Sequence, residues 1–307
     1  MSIQLLPPGI EVFERGWFSS NNILHFGKED VSLVDSGYCA HQNLTVDLVQ
    51  RSLLQHELPG LNKLLNTHLH SDHCGGNAAL INKFQCALYI PSGEEYAVKN
   101  WDTDLLSYAN LGQDCPRFEY RGLLAPGQDI LLGSYPWEVL ASPGHDQHSI
   151  MLYQSDYQIL ISADALWENG FGVIFPDSRG RTSFEEVSKT LDLIESRPIK
   201  MVIPGHGRPF DDVASSLLSA RSRLDYFAAN PERNARHTSR VLLKYKLLEW
   251  RVQDLNKVME WIANTPIFPS LARQLHMEIA EYIQWLPQVL VETGAAKIEN
   301  NHLIDIL

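Results

Sequence analysis

The chain has 307 residues, of which 44% are hydrophobic and 20% charged, a composition that allows one large domain, or one large and one small domain. Its formal net charge of -12 argues against the basic field that drives non-specific binding to nucleic acids or anionic membranes. Residues 1–8 lack the pattern of a signal peptide, and no apolar stretch is long enough to span a bilayer. The four cysteines show no paired spacing, so we predict a cytoplasmic protein: Cys39, Cys74, Cys86 and Cys115.

Apolar periodicity predicts an alternation of strands and helices over the first two thirds of the chain. Two or three strands are predicted over residues 10–35, with a turn at residues 27–30, and the last strand ends at Asp35-Ser36-Gly37. Further strands are predicted at 61–66, 86–90, 129–132, 137–140, 149–153, 158–161 and 201–203. Helices are predicted at 41–56, 77–84, 92–99 and 183–196, the last of them with a capping-box pattern from Ser183 to Glu186.

Residues 101–123 are irregular and mix aromatic side chains with glycine and proline. Two interpretations stay open for this segment. It is either a surface excursion packed by its own side chains, or a lid or wall of a substrate site, as long irregular insertions often are.

Beyond Pro209, apolar residues recur at helical spacing through 213–227, 233–251, 253–264 and 271–286, and a hairpin around Asn300-Asn301 follows. We therefore predict a first domain at residues 1–210 and a small helical domain at 211–307. The second has eleven Lys and Arg against twelve Asp and Glu, a net of -1, so no DNA binding is expected. Four basic residues share one helical face, which is either solvated or a clamp for an anionic substrate: Arg233, Arg236, Arg240 and Lys244.

The densest group of polar side chains lies in the stretch from Thr67 to Asn77, which contains His68, His70, Asp72 and His73. So many imidazoles and carboxylates within six residues need partners, and a metal cation is the partner that serves all of them. In an extended segment the first three would point to one side and His73 to the other. A tight turn at Gly75-Gly76 would bring all four around a pair of ions. Cys74 is interpreted as a small buried side chain rather than a ligand.

Three further polar residues each follow a predicted strand: His145, Asp164 and His206. Together with the first group they make five histidines and two aspartates, enough for two metal ions. Imidazole and carboxylate without thiolate favour Zn²⁺, Fe or Mn at an open site. Asp35 is interpreted as a residue that supports the ligands.

The order His68-x-His70-x-Asp72-His73, Gly144-His145, Asp164 and Gly205-His206 resembles the complete ligand set of the metallo-β-lactamase-fold hydrolases, over residues 10–210. The resemblance implies an α+β fold, a four-layer αββα sandwich with metals at one edge. It also implies that His68, His70 and His145 hold one metal. Asp72, His73 and His206 would hold the other, with Asp164 bridging.

Within that superfamily the pattern is most similar to glyoxalase II, the acyl-homoserine lactonases and endoribonuclease-like proteins. The C-terminal helices and hairpin resemble the winged-helix-like tail of the last group. His70 disfavours the flavodiiron branch, which has Glu there. Asp72 and Asp164 disfavour the commonest true β-lactamases.

The resemblance implies a binuclear hydrolase of small ester-like substrates, either thioesters or lactones. We expect the substrate to be anionic and no membrane to be involved, and a homodimer is possible. A water shared by two cations loses its proton near neutral pH and becomes the nucleophile, and Asp72 is the predicted proton-transfer group. Two alternatives stay open. One is cleavage of single-stranded RNA; the other is an iron-dependent sulfur oxygenase or a signalling protein on the same fold.

Overall fold

The computed structural model describes residues 6–28, 30–175 and 183–306. The first five residues and Glu29 of the predicted turn lie outside the described residues. Two sheets form the centre of the first two thirds of the chain. The first has the order β1-β2-β3-β4-β5-β6, with strands β1 (Ile10–Phe13), β2 (Asn22–Phe26), β3 (Val31–Val34), β4 (Lys63–Leu65), β5 (Ala87–Pro91) and β6 (Gly122–Leu124). The second has the order β11-β10-β9-β8-β7, with strands β7 (Asp129–Leu132), β8 (Tyr135–Ala141), β9 (Ile150–Gln154), β10 (Ile159–Ala163) and β11 (Met201–Pro204).

Strand direction sends several strand ends to one edge of each sheet. In the first sheet, β3, β4, β5 and β6 run parallel to one another. In the second, β10 is parallel to β11 and antiparallel to β9, which is antiparallel to β8, so β8, β10 and β11 share one direction. Loops that follow these strands therefore emerge together, which is where crevices form in such sheets.

The helices of this part of the chain are α1 (Gln42–Gln55), α2 (Ser71–Cys74), α3 (Asn77–Phe84), α4 (Glu95–Asn100), α5 (Tyr108–Leu111), α6 (Phe184–Glu195) and α7 (Val213–Ala228), with 3₁₀ turns at Cys39–His41 and Ser92–Glu94. The tail contains α8 (Pro231–Trp250), α9 (Leu255–Asn264), α10 (Ile267–Gln274) and α11 (Ile279–Glu292), and a sheet in the order β12-β14-β13, with β12 (Val252–Asp254), β13 (Ala296–Glu299) and β14 (His302–Asp305). No helix among the described residues is both long and apolar enough to cross a membrane.

Three buried apolar layers hold the two sheets and their helices together. Side chains of both sheets meet in a central layer that includes Val34, Leu65, Val139 and Ile161. The outer face of the first sheet packs against α1, α3 and α4, and that of the second packs against α6 and α7. Because both faces of each sheet are covered, most strand residues are apolar in continuous runs. The α+β class and the four-layer sandwich predicted from the sequence are confirmed.

The tail helices α8, α9, α10 and α11 and the closing strands form a further apolar cluster, which also takes in Leu111 of α5. Its helix starts follow ordinary capping chemistry, since Asn230 accepts a hydrogen bond from the backbone N–H of Glu232 at 3.0 Å, and Asp254 accepts one from that of Asn256 at 2.9 Å. Helix α7 contributes instead to the cluster of the second sheet. The boundary between residues 210 and 211 stays a prediction.

Three local predictions differ from the structure. The single helix expected over 271–286 is two helices, because His276 has a left-handed φ of 53° and the chain turns there. Strand β12 was not predicted; it pairs with β14 across the tail. Ser183 does stand at the start of α6, but its side chain makes no capping hydrogen bond with a described residue.

Helix α8 is fixed to the end of the tail by Lys244, whose ammonium group donates to the carbonyl oxygens of Ala295 at 2.8 Å and Ile306 at 2.9 Å and pairs with the carboxylate of Asp305. The side chain of Asp305 is 4% exposed, so the loss of Lys244 leaves this buried carboxylate with Arg251 as its described basic partner. We expect Lys244→Met to lower the free energy of unfolding by about 2 kcal/mol in urea denaturation.

The matched control is Lys297→Met, which removes only the exposed ion pair with Glu299 and should change stability little. Equal destabilisation by both variants would contradict a structural role of Lys244.

Candidate metal centre

The loop after β4 carries four of the seven predicted ligands, and α2 gives it its shape. His70 is the residue before this helix, with extended backbone angles, and Asp72 and His73 lie in its single turn. The extended arrangement considered from the sequence is therefore wrong, because the chain coils directly after His70. The helical turn lets His73 and Asp72 point into the same space as the two histidines before them.

The other three ligands come from the second sheet, where His145 follows β8, Asp164 follows β10 and His206 follows β11. All three loops emerge at the same edge because these strands run in the same direction. Asn21 holds the His206 loop by donating to the carbonyl oxygens of Pro204 at 2.9 Å and Gly207 at 2.6 Å.

The structure brings all seven predicted ligands together. They form three overlapping groups whose possible ligand atoms lie within 4.8 Å of one another: His68, His70 and His145; His68, His73 and Asp164; and Asp72, His73 and His206. One carboxylate oxygen of Asp164 lies 3.4 Å from Nε2 of His145, and the other lies 3.3 Å from Nε2 of His73. Asp164 therefore stands between the outer two groups.

The nitrogen atoms are arranged as they would be around a cation. Nδ1 of His70 lies 2.8 Å from Nε2 of His145, while Nδ1 of His145 donates to the carbonyl oxygen of Val173 at 2.5 Å. The lone pair of His145 Nε2 thus faces a second ring nitrogen. Nε2 of His68 and Nε2 of His73 are buried without a hydrogen bond to any described residue. Such atoms need a partner, and a divalent ion that accepts several imidazole lone pairs fits this donor set.

Electrostatics divide the histidines into two sets. Burial lowers the pKa of His68 well below its usual value, and the charges of His73 and His70 add to this effect. Burial also lowers the pKa of His70 and His145 to about 4. These three are neutral imidazoles at pH 7, the form that binds metals.

On the other side of the site, burial opposes a charge on His73 and His206, yet the nearby carboxylates together outweigh it and raise the pKa of both. These are Asp164 and Asp35 at His73, and Asp164 and Asp72 at His206. The pKa of Asp164 is in turn held well below its usual range, since its burial is outweighed by the charges of His73 and His206. This half of the site thus attracts positive charge.

Asp35 supports the loop rather than joining the ligand groups. Its carboxylate accepts hydrogen bonds from the backbone N–H of Thr67 at 2.9 Å, the hydroxyl of Thr67 at 2.8 Å and Nδ1 of His73 at 2.7 Å. A proton on Nδ1 leaves the Nε2 lone pair of His73 free for a ligand. Asp35 does this from a left-handed backbone conformation, with φ of 59°.

Gly205 makes room for the centre. A Cβ atom at this position would lie 2.3 Å from Oδ1 of Asp164 and 2.9 Å from Cε1 of His73. The residue before His206 must therefore be a glycine if the His206 loop is to approach the other two ligands this closely.

Two cavities that share His70, His145 and Phe175 in their walls adjoin the ligands. A small cavity of about 70 Å³ has Trp17, Trp167 and Tyr245 in its wall together with His70, Asp72 and His206. A larger one of about 810 Å³ is bounded by His70, Glu94, Tyr96, Phe175 and Ile267, among others. Sequence reasoning missed Trp17, Tyr245 and Glu94, because no short-range pattern links them to the ligand motifs.

Residues of the irregular segment 101–123 line the larger cavity, namely Asp104, Leu105, Ser107, Asn110 and Leu111, which favours the substrate-wall interpretation. The predicted basic face of α8 is placed differently. Within the described part of the chain, Arg233, Arg236, Arg240 and Lys244 line neither cavity, and Arg273 of α10 is the basic side chain of the larger one. Cys74 is fully buried and hydrogen-bonds to the carbonyl oxygen of Leu69 at 3.3 Å, outside every ligand group.

Comparison with known proteins extends this picture. A family model for the metallo-beta-lactamase superfamily matches residues 15–206. A protein named probable metallo-hydrolase from Methanocaldococcus jannaschii is 27% identical, over 65% of this chain and 93% of its own length. An acyl-coenzyme A thioesterase of Homo sapiens is 24% identical over 58% of this chain and 64% of its own length. A hydroxyacylglutathione hydrolase of Rhizobium etli is 28% identical over 36% of each chain. The chain thus spans less than two thirds of the length of these last two enzymes.

Solved structures show the same fold. A metallo-beta-lactamase family protein from Thermus thermophilus has a TM-score of 0.61 and 17% identity, covering 98% of this chain and 100% of that one. A protein in a di-iron-bound form has a TM-score of 0.53 and 22% identity, over 68% of this chain and 98% of that one. A class B3 di-zinc metallo-beta-lactamase from an Alaskan soil metagenome has a TM-score of 0.53 and 16% identity, covering 71% of this chain and 90% of that one.

The hydrogen bonds of Asp35 predict the effect of its replacement. In Asp35→Asn the amide N–H₂ can face Nδ1 of His73. The imidazole proton of His73 then moves to Nε2, or the ring loses its hydrogen bond to residue 35. We expect a ten- to hundredfold loss of affinity for Zn²⁺ with all seven ligands intact, measured by competition with a chromophoric chelator.

Asp47→Asn, on an exposed position of α1, is the matched control and should bind Zn²⁺ like the unmodified protein. Unchanged affinity in Asp35→Asn would show that His73 does not depend on this carboxylate.

Proposed function

The chain belongs to the metallo-beta-lactamase superfamily, and on that basis we propose that it is a binuclear metal-dependent hydrolase that cleaves a thioester or a lactone. The observation that carries the proposal is the convergence of five histidines and two aspartates into three overlapping ligand groups at one sheet edge. The resemblance to an acyl-coenzyme A thioesterase and a hydroxyacylglutathione hydrolase supports an acyl bond as the target.

We propose two divalent ions, most simply Zn²⁺, with His68, His70 and His145 as one set of ligands and Asp72, His73 and His206 as the other. Asp164 would serve both. Neutral imidazoles and carboxylates, without thiolate, suit Zn²⁺, Fe and Mn, and the fold neighbours include di-zinc and di-iron proteins. Such ions, when bound, lower the pKa of a coordinated water and polarise a carbonyl group.

The chain's own side chains would then handle protons and orient the substrate. One carboxylate oxygen of Asp72 lies 3.1 Å from Nε2 of His206 and the residue lines the small cavity, so Asp72 can accept or pass a proton there. Tyr245 reaches the same cavity from α8, and its buried hydroxyl makes no hydrogen bond with a described residue. Burial, and next the Asp72 carboxylate, raise the pKa of Tyr245 well above its usual value. The phenol therefore stays neutral and can donate a hydrogen bond to a substrate oxygen.

Cleavage of single-stranded RNA is less well supported by this site. A phosphodiester chain binds along a groove lined by basic side chains. Among the described residues of the larger cavity, Arg273 is the one arginine or lysine, and it is outnumbered by the carboxyl groups of Glu94, Asp104 and Asp146. The free thiols, with the sulfurs of Cys74 and Cys115 3.7 Å apart, support a reducing compartment, and we propose the cytoplasm.

Elemental analysis of the natively purified protein, with initial rates on thioesters, lactones and RNA, tests the proposal. We expect two equivalents of metal and turnover of a thioester or lactone. We expect Asp164→Ala to lose metal and turnover together, because its two carboxylate oxygens face both sets of histidines.

Cys74→Ser is the matched control beside the site and should retain the metal, since Cys74 belongs to none of the ligand groups. One iron per chain with oxygen uptake would reject the hydrolase. Loss of metal in Cys74→Ser would mean that the ligands are assigned wrongly.

Tyr245→Phe removes the phenol hydroxyl and keeps the ring in its apolar contacts. If the hydroxyl donates to the substrate oxygen on which negative charge develops, kcat should fall by about 100-fold with metal content unchanged. Steady-state kinetics with parallel metal analysis make the measurement.

Tyr282→Phe is the comparison, because its hydroxyl donates to Ser239 inside the tail, and it should leave kcat unchanged. Equal kcat in Tyr245→Phe and the unmodified protein would exclude Tyr245 from the chemistry.

A further inference from the structure

Glu94 is the charged group of the larger cavity for which the structure offers the poorest compensation. It is 5% exposed and lines the cavity that reaches His70 and His145. No described residue donates a hydrogen bond to its carboxylate, and no described lysine, arginine or histidine forms a salt bridge with it. A buried carboxylate in such a place destabilises the protein unless it takes up a proton or a cation.

The position of Glu94 follows from the sheet. It ends the 3₁₀ turn Ser92–Glu94 directly after β5, the parallel neighbour of β4, whose own end leads into the His68 loop. The side chain therefore stands at the same sheet edge as the candidate metal ligands without being one of them.

Asp146 brings a second carboxylate to this wall. It lines the same cavity, its side chain is 16% exposed, and Oδ2 lies 3.9 Å from Nε2 of His70. Burial, and next the charge of Asp146, raise the pKa of Glu94 to about 8. A cation in the cavity beside Glu94 would supply the counter-charge that no described residue provides.

We propose that Glu94, with Asp146, forms a subsite for a positively charged nitrogen, an ammonium or guanidinium group, on one arm of the substrate. This inference rests on the proposed function, and it names the substrate class as ester-like compounds with a cationic arm. Apolar side chains of the same cavity, Tyr96, Leu105, Phe175 and Ile267, would contact the carbon chain between the cation and the acyl bond. The sequence had suggested an anionic substrate, so the test compares all three charges.

The first experiment measures binding without turnover. Isothermal titration calorimetry of the metal-loaded protein with hexylammonium, hexanol and hexanoate should show hexylammonium bound at least tenfold more tightly than the other two. Glu94→Gln should weaken hexylammonium at least tenfold and leave hexanol unchanged. Glu95→Gln is the matched control, because Glu95 is exposed and its hydrogen bond from Tyr120 at 3.0 Å survives in the amide.

If the unmodified protein binds hexylammonium no more tightly than hexanol, the subsite is overturned, whether or not the variant folds. Full hexylammonium affinity in Glu94→Gln would overturn it as well, because the binding of the cation would then not depend on the carboxylate of Glu94.

The second experiment separates this inference from the proposed function. Thioesters of N-acetylcysteamine with 6-aminohexanoyl, heptanoyl and adipoyl groups differ only in the charge at the end of the acyl arm. The subsite predicts at least a tenfold higher kcat/KM for the aminohexanoyl compound, lost in Glu94→Gln. Glu94-dependent binding of hexylammonium without hydrolysis of any thioester or lactone would reject the hydrolase and keep the subsite. Hydrolysis of all three compounds at equal rates, with no preferential binding of hexylammonium, would reject the subsite and keep the hydrolase.

Discussion

The carboxylate of Asp35 is the contact on which the candidate site depends. It lies at the end of β3 and ties the backbone and hydroxyl of Thr67 to the ring of His73, so that one side chain fixes both the start of the His68 loop and the direction of a ligand. The strained backbone of Asp35 is tolerated because three hydrogen bonds and the neighbouring strands hold it in place. Without this contact, backbone hydrogen bonds such as those from Ser20 to Asp72 at 2.9 Å and from Ser36 to His73 at 2.7 Å would still hold the loop, but the ring of His73 would lose its acceptor.

Most elements of the two-sheet part could be predicted from the sequence because local pattern and global fold agree there. Helix α3 was predicted over 77–84 and is found at Asn77–Phe84, since apolar spacing and the preceding glycines both favour it. The convergence of His145, Asp164 and His206 could be expected once each followed a strand, because strands of one direction end at one edge. The resemblance in the order of the motifs added which ligands go together.

The rest depends on contacts between distant parts of the chain, which local patterns do not encode. Tyr245 is an ordinary aromatic residue within a helical pattern, and only the packing of α8 beside the two-sheet part brings it to the cavity. The basic run on the same helix allowed two interpretations, a solvated face or a substrate clamp. In the structure Lys244 donates to carbonyl groups at the end of the tail, and Arg236 lies over the ring of Trp285. Charge counts along the chain do not distinguish these uses; the neighbours do.

The cavity walls are built from two different parts of the chain, which affects how substrate specificity can evolve. The candidate ligands all come from the two-sheet part, whereas Ile267 and Arg273 of the larger cavity, and Tyr245 of the small one, come from the tail helices. Mutations of the tail residues in the larger cavity can therefore remodel what enters it while the candidate metal ligands keep their place in the two-sheet part. Selection for new substrates, in nature or in the laboratory, can work on these positions as long as it spares Tyr245, the tail's own proposed contribution to the reaction.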